Sequence, residues 1–226
     1  MPEIVTFSSR KKEYGSLSNF WKCDIIINYF SDYIDEIARD VVGRIRVRTQ
    51  SSPLCSDSPN SYLYESGEHC FHGEKYRRIA MLYDASNQRR FVLLDHWKRF
   101  RKDCKYSGSE NGGYYVTPAD AKRGGGKKGL LLIKSELEAW KTISIEVQKE
   151  ICKYKFDNYS EIRDDLKKSG DKILIHPAMR CSDINMNTRF WEGRVKEMEN
   201  EEYEILGGNM LGNIWMEIRG NSRKLH

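Results

Sequence analysis

The segment 65–75 places side chains of different chemistry at helical spacing. Glu68 and Lys75 are seven positions apart, and Phe71 or His72, three or four positions after Glu68, shares the same face on a helix. A carboxylate, an aromatic ring and a primary amine on one face can hold and cleave a sugar-like ligand. The alternative is an ordinary solvated face, because Glu and Lys at this spacing are common on helix surfaces.

The same segment holds the densest group of potential metal ligands in the sequence. His69 and His72 lie about one helical turn apart, with Cys70 between them, but a metal site needs further ligands. The six cysteines of the chain contain no CxxC pair. We therefore predict no metal site and interpret this group as the packed surface of a helix.

Two glycine-rich segments have backbone N–H groups that could face a phosphate. Residues 123–128 read RGGGKK, but no Ser or Thr follows the lysine as a P-loop requires. Residues 207–219 begin GGN and continue into an apolar helix, which is typical of backbone close to a ligand. The alternatives are a basic loop for the first segment and a plain loop-to-helix junction for the second.

Capping residues predict the helices that carry these groups. Ser66 is expected to cap a helix over 67–84, and Thr117 a helix that begins at Pro118 with Asp120 in its first turn. A further helix over 160–169 should stop at Gly170.

A long apolar stripe predicts another helix. Ser135 and Glu138 form a capping pattern in front of it. Its apolar residues recur every three or four positions, and we interpret them as core: Leu137, Trp140, Ile143, Val147, Ile151 and Tyr154.

Strands are fewer. Residues 41–49 alternate and contain β-branched side chains, which predicts a strand, and residues 25–27 predict a second, shorter one. Loop insertions are predicted near 49–61, 105–114 and 192–204. The sequence thus predicts an α+β, helix-rich single domain over residues 1–226 with a small β component.

Composition excludes several classes of protein. The chain has 226 residues and a formal net charge of +5, and its 12% of aromatic residues argue against disorder. No apolar run exceeds five residues, whereas a membrane-spanning helix needs about 20. The first residues lack the apolar stretch of a secretory signal. We expect a soluble cytoplasmic protein with reduced cysteines, and leave a nuclear location open.

Charge is unevenly distributed along the sequence. Residues 98–105 and 122–128 are basic and residues 192–204 are acidic, which fits a protein that meets a phosphate-bearing ligand on one side. Lys98, Arg99 and Arg101 are candidate phosphate contacts. The alternative is that each charged run is a solvated face or loop that contacts no ligand.

Several blocks of sequence, in the same order, resemble the NADAR family of YbiA-like proteins. Together they span residues 7–219, nearly the whole chain. The blocks are FS at 7–8 with YGSLSNF at 14–20, SGEHCFHGEK at 66–75, AKRG at 121–124, residues 140–156, KSGD at 168–171, FW at 190–191 and GNMLG at 208–212.

The resemblance implies an N-glycosidase-like hydrolase of ADP-ribose or ribose-phosphate substrates that needs no cofactor. We expect removal of ADP-ribose from guanine bases in nucleic acid. The alternatives are an N-glycosidase of riboflavin-pathway ribosyl phosphates and a non-catalytic ADP-ribose-binding module.

By the same resemblance Glu68 is the catalytic residue. We add Lys75, whose amine could trap the opened ribose as a Schiff base if burial or the nearby charges of Arg77 and Arg78 lower its pKa. The ligand-binding candidates are Ser18, Asn19, Phe20, Phe71, Arg123, Trp191, Gly208, Asn209 and Gly212.

The sequence departs from the family pattern at one position. Bacterial members tend to carry a carboxylate three residues before the tryptophan that matches Trp191, and here that residue is Thr188. Asp183 is a candidate replacement; the alternative is that the second carboxylate is dispensable.

Overall fold

The computed structural model describes residues 3–28, 61–104, 114–178, 181–198 and 203–223. The chain forms two compact units, one of residues 22–151 and the other of the residues up to 21 and from 152 onward. The predicted strand over 41–49 lies outside the described residues. So do the predicted loops near 49–61 and 105–114, except for the last residue of each.

In the unit of residues 22–151, a two-stranded antiparallel sheet leads into the helix that carries the predicted site. β2 (Lys22–Asn28) pairs with β3 (Ser61–Ser66). β2 confirms and extends the strand predicted over 25–27. Ile25 and Ile27 are buried while Ile26 is exposed, as expected for a strand with one face on a core.

The helix α1 (Gly67–Ala80) follows β3 without a loop. The Ser66 hydroxyl accepts a hydrogen bond from the His69 N–H at 3.3 Å, which confirms the predicted cap, although the helix ends before residue 84. α3 (Pro118–Gly125) begins with the predicted capping box of Thr117 and Asp120. Between them lies α2 (Gln88–Lys98), which the sequence analysis did not predict.

The long helix α4 (Lys134–Asn158) confirms the predicted stripe in part. It begins before Ser135, and the Ile133 N–H donates to the carboxylate of Glu136, so Glu136 and not Glu138 closes the first turn. Ile143, Val147 and Ile151 are buried, but Leu137 is 47% exposed, and its assignment to the core was wrong.

The other unit has its own hydrophobic core, which includes Phe7, Leu17, Leu174 and Trp215, all fully buried. Its elements are β1 (Ile4–Thr6), a 3₁₀ turn (Gly15–Leu17), α5 (Ser160–Lys168), β4 (Ile173–Ile175), α6 (Asp183–Met186), β5 (Arg194–Glu197), β6 (Tyr203–Leu206) and α7 (Met210–Arg223). β1 is parallel to β4, and β5 is antiparallel to β6.

Two further predictions in this unit can be compared with the structure. α5 is followed by Gly170 with φ +53°, the left-handed conformation expected of a helix-ending glycine. The prediction of a loop insertion near 192–204 was wrong in part. Most of the described residues in this range belong to two antiparallel strands, in which Arg194 pairs with Leu206. The elements confirm the α+β class. No helix among the described residues is long and apolar enough to cross a membrane.

Candidate functional site

Most of α1 is buried, which is unusual for a helix with so many charged residues. Glu68, Glu74, Lys75, Arg77 and Arg78 are each less than one-tenth exposed. Charged groups are rarely buried unless they are paired or hydrogen-bonded, so this helix is the natural place to look for chemistry.

Glu68 and His72 form a hydrogen-bonded pair on the predicted face. The imidazole Nε2 lies 3.2 Å from the carboxylate Oε1 of Glu68, at a spacing of four residues. Burial lowers the pKa of His72, although the neighbouring carboxylate opposes the shift. A neutral His72 therefore carries its proton on Nε2 and donates it to Glu68, which leaves Nδ1 as a buried acceptor without a hydrogen-bond partner in the structure.

Lys75 lies one turn further along the same face. Its Nζ donates to the carbonyl oxygen of Gly125 and sits 4.6 Å from the centre of the Tyr76 ring. Burial lowers the pKa of Lys75 from 10.5 to about 8. About a tenth of these amines are therefore neutral at pH 7, compared with well under a thousandth at the ordinary pKa.

The expected contribution of Arg77 and Arg78 to that shift is not found. Both guanidinium groups bond to the buried carboxylate of Glu74, at 2.7 Å from Arg77 Nη2 and 3.0 Å from Arg78 Nε. Burial alone would raise the pKa of Glu74, but the two arginines outweigh it and lower the pKa to about 2. Glu74 and its partners are a structural ion cluster, distinct from the pair of Glu68 and His72.

The end of α3 provides the partner of Lys75 and explains the glycine run. A side-chain carbon on Gly125 would lie 2.1 Å from the imidazole of His72, and one on Gly124 would lie 2.1 Å from the ring of Tyr115. Glycine is required here so that the helix end can pack against two rings. The structure thus gives Gly124 and Gly125 a packing role, while phosphate binding by this run stays a prediction.

Further donors meet the end of α3. His96 Nε2 lies 3.1 Å from the carbonyl oxygen of Gly124, and the Tyr76 hydroxyl lies 3.3 Å from the same oxygen. Tyr76 also donates to the carbonyl of Leu130 at 2.9 Å. The carbonyls of Gly124 and Gly125 are therefore held by side chains of both α1 and α2.

Gly124 also lines a cavity of about 1200 Å³. Residues of α2, residues 114–115, the end of α3 and residues 128–130 form its wall, and the predicted ligand residue Arg123 belongs to it. Glu68 and Lys75 do not line this cavity. Gly125, whose carbonyl accepts the hydrogen bond from Lys75, is nevertheless next to Gly124 in the chain.

The basic run near residue 100 is only partly available to a ligand. Arg101 is buried, bonds to Asp103 at 2.5 Å and stacks on the ring of Trp97, and its phosphate contact stays a prediction. Arg99 lines the cavity and pairs with Asp95 at 3.3 Å. Lys98 does not line the cavity, and its phosphate contact stays a prediction.

Phe71 packs within the same unit, with its ring 5.0 Å from that of Trp140. The remaining ligand candidates belong to the other unit. Ser18 and Asn19 are buried there, and the Ser18 hydroxyl accepts from the Phe20 N–H at 3.2 Å. The amine of Lys155, fully buried, donates to the carbonyls of Ser16 at 2.6 Å and Ser18 at 3.0 Å.

Asn209 and its glycine neighbours make internal contacts in the second unit. The Asn209 amide accepts from the His176 N–H at 3.0 Å and donates to the carbonyl of Leu174 at 2.9 Å. Side-chain carbons at Gly208 and Gly212 would lie 2.5 Å and 2.2 Å from backbone oxygens. The structure assigns packing roles to this motif, and ligand contacts of Asn209, Gly208, Gly212 and the half-buried Trp191 stay predictions.

The candidates for a second carboxylate also lie in this unit. Asp183 pairs with Arg194 at 2.6 Å, and the Thr188 hydroxyl donates to the carbonyl of Asn185 at 2.8 Å. Each therefore has a local structural partner, and a catalytic role for Asp183 stays a prediction.

The histidines near Glu68 do not assemble a metal site. His69 Nδ1 lies 2.8 Å from the Ser66 hydroxyl and Nε2 lies 2.9 Å from the carbonyl of Tyr115, so both ring nitrogens are occupied. Among the described residues no group of three or more potential ligands could hold a metal ion.

Two side chains around Lys75, Tyr76 and His96, were not predicted from the sequence, and His72 was predicted only as a member of the face. The spacing of four residues from Glu68 to His72 was a usable signal. The contacts of Tyr76 and His96 depend on the long-range packing of α3, which no local pattern encodes.

Comparisons with known proteins leave the family open. No family model matches the chain, and no curated protein matches its sequence. The NMR structure of the E. coli protein YbiA is similar with a TM-score of 0.48 and 17% sequence identity, over 100% of this chain and 89% of that one. A likeness at this level establishes neither family nor function.

Proposed function

We propose that this protein is an N-glycosidase of NADAR type that releases ADP-ribose from guanine bases in nucleic acid. The sequence blocks that resemble the family support the substrate class. The observation that carries the chemistry is the buried face of α1, on which the Glu68–His72 pair lies one turn from an amine with a pKa of about 8. A carboxylate and a partly neutral amine are the groups that such a hydrolysis can use.

In one route, water attacks directly. The bond from the anomeric carbon to the guanine nitrogen breaks, the electron pair stays on the nitrogen, and a proton joins it. Glu68 stabilises the positive charge that develops on the sugar and takes a proton from the attacking water. The hydrogen bond from His72 fixes the orientation of the carboxylate.

In the other route, Lys75 is the nucleophile. The C1–O4 bond of the ribose breaks, its electron pair stays on O4, and O4 takes a proton. The neutral amine adds to C1 and loses a proton, and the bond from C1 to the guanine nitrogen breaks, so that the nitrogen leaves with the electron pair and a proton. The Schiff base between C1 and Lys75 then takes up water, which regenerates the amine and releases ADP-ribose. Both routes consume one water and give the same products.

The test is the release of ADP-ribose from a guanine-ADP-ribosylated oligonucleotide. Glu68→Gln keeps the shape of the side chain and should lower turnover at least about a hundredfold while ADP-ribose binding survives. Glu65→Gln, at a partly exposed carboxylate that pairs with Lys22, is the matched control and should be active. Normal turnover by Glu68→Gln would refute the catalytic assignment. A wild-type protein that binds ADP-ribose without releasing it from guanine would be a binding module.

Borohydride added during turnover separates the two routes. If the Schiff base forms, ADP-ribose becomes fixed to Lys75, and Lys75→Arg loses both trapping and most activity because it keeps the charge but not the nucleophile. Lys141→Arg, at an exposed lysine of α4, is the control. An active Lys75→Arg would favour direct attack by water.

A further inference from the structure

The cavity beside Gly124 contains aromatic surface that is left open to solvent. Phe91 of α2 is 44% exposed and Tyr114 is 55% exposed, and both line the cavity. Aromatic rings in a concave wall are the usual platforms on which unstacked bases bind. A volume of about 1200 Å³ exceeds the roughly 300–1,000 Å³ that is usual for ligand pockets, so there is room for a base and its sugar.

The charges in the cavity wall fit a ligand with a single negative charge. Arg99 pairs with Asp95, and Arg123 pairs with Asp120, so these four residues are balanced. Lys128 is exposed and, in the part of the chain that the structure describes, makes no ion pair. The described residues of the wall therefore carry a net charge of +1, which matches one phosphodiester group better than the doubly charged pyrophosphate of ADP-ribose.

The cavity is also close to the proposed catalytic groups. Gly124 lines it, and the carbonyl of Gly125, the next residue, accepts the hydrogen bond from Lys75. A ligand in the cavity would therefore lie against the residue that precedes the hydrogen-bond partner of Lys75.

We propose that this cavity binds an unpaired base, with its phosphodiester group, of the strand that carries the modified guanine. The protein would then act on single-stranded nucleic acid, because the faces of paired and stacked bases in a duplex are covered. This inference rests on the proposed function for its substrate, and it adds a second recognition site and a strandedness to it.

The binding test uses an unmodified, labelled single-stranded oligonucleotide and the same sequence as a duplex, with affinity measured by fluorescence anisotropy. Phe91→Ala should weaken single-strand binding by about five- to hundredfold, the range for loss of one base–aromatic stack, and Phe91→Trp should retain it. Ile184→Ala, at an apolar residue that is 85% exposed in the other unit, should have no effect. Equal affinity for the duplex, or unchanged binding by Phe91→Ala, would overturn the proposal.

A matched pair of lysines tests the phosphate contact. Lys128→Gln should lower the slope of log affinity against log salt by about one, and Lys127→Gln, at an exposed neighbour that does not line the cavity, should leave it unchanged. Equal effects of the two substitutions would contradict a specific contact of Lys128.

Turnover distinguishes this site from the site for ADP-ribose. Phe91→Ala should lower kcat/KM for an ADP-ribosylated single strand and leave that for ADP-ribosylated guanosine unchanged. An equal loss for both substrates would mean that ADP-ribose itself occupies the cavity, which overturns the proposal. If single strands bind through Phe91 and Lys128 but the wild type releases no ADP-ribose, the proposed function fails while the binding site stands.

Discussion

The buried amine of Lys75 should make the stability of the protein depend on alkaline pH. Burial lowers its pKa from 10.5 to about 8 in the folded protein. Between these two values the unfolded chain binds more protons than the folded chain, so the free energy of unfolding rises with pH. This direction is opposite to that of a phenol whose pKa is raised by folding, such as Tyr83, which costs stability as the pH rises above its ordinary pKa.

The magnitude follows from the size of the shift. At about 1.4 kcal/mol per pKa unit, a shift of about 2.5 units costs roughly 3 kcal/mol at neutral pH, and about 2 kcal/mol of this is recovered between about pH 7.5 and pH 10. Lys75→Met removes the titrating group and keeps the length of the side chain. Its free energy of unfolding, relative to the wild type, should therefore fall by about 2 kcal/mol over that range.

Urea denaturation of both proteins across this range measures the difference directly. The tyrosine and cysteine contributions are common to both proteins and cancel when one curve is subtracted from the other. Lys141→Met, at an exposed lysine, should give a difference from the wild type that does not change with pH. Parallel curves for Lys75→Met and the wild type would refute the lowered pKa, and with it the supply of neutral amine that the Schiff-base route needs.

Three further substitutions test other parts of the structure. Glu74→Gln should destabilise the protein by about 3–5 kcal/mol in urea denaturation because it removes the charge that the buried Arg77 and Arg78 share, although Arg78 keeps its ion pair with Glu150. A loss below about 1 kcal/mol would contradict the ion cluster. Gly125→Ala should push the imidazole ring of His72 away from Glu68, which lowers stability by about 1–3 kcal/mol and reduces ADP-ribose release. Gly220→Ala, whose new side chain meets no atom within 4 Å, should change neither stability nor release. Asn209→Ala should cost about 2 kcal/mol because it removes two buried hydrogen bonds, one from the His176 N–H and one to the Leu174 carbonyl. An unchanged unfolding midpoint would return Asn209 to a purely ligand-binding role.

The sequence predicted the structure best where the signal is local. The cap at Ser66, the capping box at Thr117 and the stop at Gly170 each depend on residues within one helical turn, and all three are found. The helix α2 was missed because its apolar and charged residues show no clear amphipathic pattern. Phe91 and Val92 are exposed in the cavity wall, and His96 is buried, against what hydrophobicity alone would suggest.

The site was predictable only in part, because only some of its contacts join residues that are close in sequence. The face of Glu68, His72 and Lys75 is encoded in spacings of four and three residues. The partner of Lys75 is 50 residues away, and the glycines around it look like a phosphate loop until the rings of His72 and Tyr115 are seen against them. The role of Asn209 depends on its left-handed backbone, with φ +45°, which points its amide at β4.

The two routes to ADP-ribose need different charge states of Lys75: the Schiff-base route needs a neutral amine, whereas in direct attack by water Lys75 only binds phosphate. A residue that only binds phosphate needs a charged amine, and an exposed position would keep its pKa near 10.5. The amine is instead buried against Tyr76 and donates to a neutral carbonyl, that of Gly125, and the carboxylate of Glu74 is occupied by two arginines. Burial without a carboxylate to pair with lowers the pKa and supplies neutral amine near pH 8. A buried amine of this pKa is what the proposed Schiff-base route requires of Lys75, and borohydride trapping decides between that route and direct attack by water.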